Sequence, residues 1–142
     1  MCMVYYLGTD SEAPLFPVWD KAAPAFYVAS VGDNELERVR NKLPHRNLRY
    51  LGSHNGCGCG FRSYRDGILI SEKADATDTN GDHFALTQYL RELPSSSRQS
   101  QIFGCWSGDE GEPVEFERTI APEEILNPNF GFKEREIVTL EI

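Results

Sequence analysis

The 142-residue sequence predicts a single α+β domain over residues 1–142, with an antiparallel-rich sheet of about five or six strands and two main helices. Three observations carry that expectation. Short apolar runs bounded by Gly, Pro, Asn and Asp recur along the chain, as strands do. Two segments space their apolar residues as helices do, and each stops at a proline. The composition, 40% hydrophobic and 25% charged, is that of a globular chain rather than a disordered one.

Taken in order, residues 3–7 form the first strand candidate and end at the turn-forming Gly8-Thr9-Asp10-Ser11. Pro14, Pro17 and Pro24 keep the next stretch irregular until a strand over 25–31. Asn34 and Glu37 have the spacing of a helix N-cap and its reciprocal carboxylate. The helix that follows places Leu36, Val39 and Leu43 on one face and stops before Pro44. A strand over 47–51 leads into a glycine-cysteine cluster, beyond which Ile68-Leu69-Ile70 is a short apolar run of either type. Residues 75–81 read as a polar loop, with Asp82 capping a helix that carries Leu86, Tyr89, Leu90 and Leu93 and ends at Pro94. Residues 101–106 read as a buried strand and 107–111 as a turn. The next strand alternates Val114, Phe116 and Ile120 with Glu115, Glu117 and Thr119. A helical turn from Pro122 and a last strand over 136–142 complete the chain. Trp19 and Trp106 are expected in or at the edge of the core, and His83 on the surface.

Acidic residues outnumber basic ones by 22 to 14, a formal charge of −8. That balance argues against a nucleic-acid or anionic-lipid partner, since both select for excess Lys and Arg. It is compatible with a protein partner of basic character, as for an acidic interaction module of the immunity-protein kind that performs no catalysis. No apolar run approaches the roughly 18 residues needed to span a bilayer, and no basic, apolar export signal is visible. The expected compartment is the cytoplasm, with Cys2, Cys57, Cys59 and Cys105 as reduced thiols.

The segment Ser53-His54-Asn55-Gly56-Cys57-Gly58-Cys59-Gly60-Phe61 is the unusual feature. Thiolate and imidazole are the usual zinc ligands, and a glycine-rich turn lets neighbouring side chains converge on one ion. The expected metal set is Cys57, Cys59 and Cys2, with His54 or Cys105 completing it and His45 as a further candidate. Cys2 enters because an antiparallel pairing of the first strand with the strand ending at Leu51 would set it beside the pair. Two other readings compete. A strained Cys-Gly-Cys disulfide, activated by His54, Arg62 or Arg65, would make a thiol-redox protein. Alternatively the run is a structural turn whose backbone N–H groups form an anion nest near Arg62 and Arg65.

Met1-Cys2, the stretch from Tyr50 to Phe61, and Cys105-Trp106-Ser107-Gly108-Asp109-Glu110 resemble a family of uncharacterised bacterial proteins. The likeness covers those three blocks and the overall length; it implies a bacterial cytosolic protein and no particular reaction. The Met-Cys start before a strand is also similar to glutamine amidotransferases with N-terminal nucleophiles, but the likeness ends within the first strand. Residues 75–82 imitate a calcium loop without the acidic residues required at its first and twelfth positions.

Overall fold

The computed structural model describes residues 2–15, 21–70 and 76–141, so Trp19 lies outside the described residues. The chain is α+β, as expected. Six strands form one sheet in the order β2-β3-β1-β6-β9-β7. They are β1 (Met3–Thr9), β2 (Tyr27–Ser30), β3 (Asn47–Gly52), β6 (Gln101–Trp106), β7 (Phe116–Ile120) and β9 (Glu136–Leu140). A smaller sheet, in the order β5-β4-β8, holds β4 (Ser63–Arg65), β5 (Ile68–Leu69) and β8 (Phe132–Lys133). Pairing is antiparallel except between β7 and β9 and between β4 and β8.

Strand β1 explains the layering. All seven of its residues are buried. Met3, Tyr5 and Leu7 point into one apolar cluster, and Val4 and Tyr6 into the other, because side chains alternate across a strand. On the first face, Leu86, Tyr89 and Leu90 of helix α2 (Ala76–Glu92), and Leu93 just beyond its end, pack with Phe61, Phe130 and Phe132 beneath the sheet. On the second, Val39 of helix α1 (Asp33–Lys42) and Leu43 at its C-cap pack with Leu48, Phe103 and Ile137. Leu36 lies against the same cluster, as its spacing predicts.

Four local expectations are corrected. The N-cap of α1 is Gly32, with Asn34 inside the helix and no side-chain cap bond. Helix α2 begins at Ala76, so residues 76–81 are helical and Asp82 caps nothing. Its inward face opens with polar side chains: Thr79, Asp82 and His83 are buried ahead of Leu86 and Leu90. Tertiary contacts, not apolar periodicity, hold that first part. His83 is buried rather than superficial: its Nε2 accepts from the Arg62 N–H at 3.0 Å and its Nδ1 meets the Ile125 carbonyl at 3.0 Å. Finally, Val114 packs with the α1 layer, whereas Ile120 lies in the α2 layer and Phe116 is exposed.

Among the described residues no helix is long and apolar enough to cross a membrane.

Candidate metal centre

The loop after β3 is fixed by its own backbone before any side chain acts. The Ser53 N–H donates to the Cys57 carbonyl at 2.7 Å, and the Gly56 N–H to the Ser53 carbonyl at 3.0 Å. The Ser53 hydroxyl donates to the same Cys57 carbonyl at 2.5 Å and accepts from the Gly60 N–H at 2.9 Å. Residues Gly58–Gly60 then make a single 3-10 turn, closed by the Phe61 N–H on the Gly58 carbonyl. Phe61 anchors the exit in the core, edge-on to Tyr5 with ring centroids 5.4 Å apart.

Two glycines allow this turn to press against its surroundings. A Cβ on Gly58 would lie 2.5 Å from the Tyr5 ring and 2.7 Å from the Met3 carbonyl oxygen. A Cβ on Gly60 would lie 2.7 Å from both Asp82 Oδ2 and His54 Nδ1. Cys59 stands between them, so the thiol is carried to the start of β1 on one side while the turn rests on His54 and Asp82 on the other.

Strands β1 and β3 are antiparallel, with Tyr5 opposite Leu51, and this sets the start of β1 beside the end of β3. Cys2 is held there by its carbonyl, which accepts the Ser107 N–H at 2.8 Å. The sulfurs of Cys2, Cys57 and Cys59 all lie within 4.8 Å of one another. Three thiolates around one zinc, each at about 2.3 Å, would be roughly 3.8 Å apart, so the group closes on an ion with small side-chain movements. All four cysteines are free thiols; Cys2 is exposed and Cys57 and Cys59 are half-buried.

The three sulfurs are not equivalent. Cys59 accepts hydrogen bonds from the Cys57 thiol, from the Met3 N–H at 3.3 Å and from the Cys2 thiol, and these lower it to about 6 against the opposing effect of burial. Cys57, donating to Cys59 and partly desolvated, is pushed above the ordinary thiol range. The arrangement thus stabilises one thiolate first, the anionic form that a soft metal ion needs.

The other candidate ligands go elsewhere. His54 Nδ1 meets Asp82 Oδ2 at 2.5 Å, and the His54 backbone N–H donates to Asp82 Oδ1 at 3.0 Å. His54 therefore ties the loop to α2 and is not one of the three converging groups. Cys105 is fully buried on the α1 face of the sheet, in the cluster of Val4 and Phe103, and cannot complete the set. His45 lies near the far end of β1, bonded through Nε2 to Gln101 at 2.8 Å. Among the described residues, no fourth His, Cys, Asp or Glu joins the group.

Sequence reasoning missed Asp82, which is 2% exposed and clamps the loop from an element expected to start at that very residue. It also missed the Met3 N–H, a backbone donor that no side-chain motif can announce. The chain matches no family model, no curated protein and no solved structure.

Proposed function

We propose that the chain is a small zinc-type metal-binding protein whose ion is held by Cys2, Cys57 and Cys59, working in a compartment that keeps thiols reduced. The observation that carries the reading is the convergence of three sulfurs from two segments more than fifty residues apart in sequence. Packing alone asks for no such convergence, and the donors around Cys59 favour its charged form. With three protein ligands the ion keeps a position for an exogenous ligand, the arrangement of reactive rather than purely structural zinc. In the family resemblance described above, the same two blocks, Met1-Cys2 and Tyr50 to Phe61, carry the thiols, which fits a bacterial cytoplasmic protein.

Elemental analysis of untagged, reduced protein tests the reading. About one equivalent of zinc is expected, with Cys2, Cys57 and Cys59 shielded from thiol reagents until a chelator is added. The Cys57→Ser/Cys59→Ser variant should lose the metal and melt at a lower temperature than the loaded parent, because an ion bound only to the folded state stabilises it. Unchanged metal content in that variant, or failure of the parent to take up zinc or another thiophilic ion, overturns the proposal.

A thiol-exchange role is a second reading, favoured by the hydrogen bonds that single out Cys59 among its neighbours. An interaction module without catalysis has only the net charge in its support.

A further inference from the structure

The junction between the two sheets holds a cleft of about 470 Å³, within the size range of small-molecule sites. Tyr64 and Arg65 of β4, Gly67 of the β4–β5 turn, Phe116 and Arg118 of β7, and Lys133 of β8 line it. Its three cations, Arg65, Arg118 and Lys133, share the lining with three carboxylates, Asp66, Glu115 and Glu134, in a chain of net charge −8.

The ion pairs around the cleft decide which charges remain available. Glu134 is paired with Arg65 at 2.9 Å, and Glu115 with Arg135. The buried Glu136 is paired with Arg118 at 2.9 Å. Asp66, at the tip of the β4–β5 turn, is the remaining acidic group of the lining. Lys133 answers no carboxylate among the described residues; its ammonium sits 5.0 Å from the centre of the Phe116 ring. Arg118 uses Nη2 for Glu136 and for the Gly131 carbonyl, and its buried Nε–H has no acceptor among the described residues. The guanidinium itself is held in place over Phe130, 4.8 Å from the ring centre. Among the described residues the lining thus leaves one ammonium, Lys133, and one carboxylate, Asp66, outside its ion pairs, and the Lys133 ammonium adjoins the exposed ring of Phe116 (44% accessible).

We propose that this cleft binds a small organic anion bearing a flat aromatic or heteroaromatic group. Its phosphate or carboxylate is taken by Lys133 and Arg118, and its ring lies against Phe116. Anion and ring are both needed: a cation on an open surface holds a bare anion weakly in water, and burying ring area beside the charge adds affinity and orientation.

Titration of the ¹⁵N-labelled full chain, followed by NMR, tests the site with four probes: adenosine 5′-monophosphate, benzoate, inorganic phosphate and adenosine. Saturable shifts at the cleft are expected with the monophosphate, with benzoate or with both, at a Kd of about 1 mM or tighter. Phosphate alone and adenosine alone should bind more weakly. Response to the nucleotide but not benzoate assigns phosphate as the anionic group, and the reverse assigns carboxylate. Lys133→Ala and Phe116→Ala, both at exposed side chains, should fold as the parent does and each weaken binding about tenfold, the effect of losing roughly 1.4 kcal/mol. The proposal is overturned if neither anion saturates, if Lys133→Ala binds as the parent does, or if phosphate binds as tightly as the nucleotide.

Discussion

Cys59 and Cys105 are neighbours of adjacent residues on β1: the Met3 N–H points at one sulfur, and Val4 pairs in register with the other. Cys105 is fully buried among apolar side chains, and burial pushes its thiol up to about 12. Cys59 is only half-buried and is surrounded by donors, which lower it to about 6. The contrast separates two uses of one residue type. Without donors, burial makes cysteine a small inert hydrophobe; with donors, a partly buried sulfur becomes a ligand or a nucleophile.

Alkylation sharpens this most. In metal-free native protein at pH 7, iodoacetamide should label Cys59 at least about a hundredfold faster than Cys105, since the thiolate is the reacting species and only Cys59 has one within reach. Peptide mass spectrometry reads the two rates, and comparable rates would break the comparison.

His83 carries the same contrast into a basic side chain. Burial keeps its imidazole neutral and lowers it to about 4, against roughly 6.5 in an unfolded chain. As pH falls, the unfolded state therefore takes up this proton first. The stability held above about pH 6.5 is lost on the way down to about 4, by roughly 2 to 3 kcal/mol. Urea unfolding at pH 7 and pH 4.5 measures it, and a His83→Gln variant should show a correspondingly shallower pH dependence.

The smallest effect belongs to Cys105→Ala. Losing one buried sulfur should cost about 1 kcal/mol in urea unfolding while leaving the metal content of the protein unchanged. A fall in metal content would mean that the two sulfur environments communicate through the sheet.

Much of this was legible in the residues. The runs that became β1 and β6, and the Leu36-Val39-Leu43 stripe along α1 and its C-cap, are driven by apolar burial, and burial is what a linear pattern encodes. The meeting of Cys2 with Cys57 and Cys59 followed from one assumption about strand direction, which the β1–β3 register bears out. What stayed hidden depends on partners distant in sequence. The buried face of early α2 is polar because Asp82 serves His54 and because His83 serves Arg62 and Ile125. Cys105 was ambiguous for another reason. Both faces of β6 are covered, so its apolar run carries no alternation to say which way a given side chain points.

The position of β1 between β3 and β6 has a temporal consequence. During synthesis, its first neighbour follows some forty residues later and its second about a hundred, which at common translation speeds is a delay of roughly 5 to 20 seconds. Until then the central strand has only β3 beside it, and that pairing alone is the one that sets Cys2 next to Cys57 and Cys59. The three thiols therefore belong to the part of the sheet that is synthesised first, and their meeting requires β3 but not the later strand on the other side of β1.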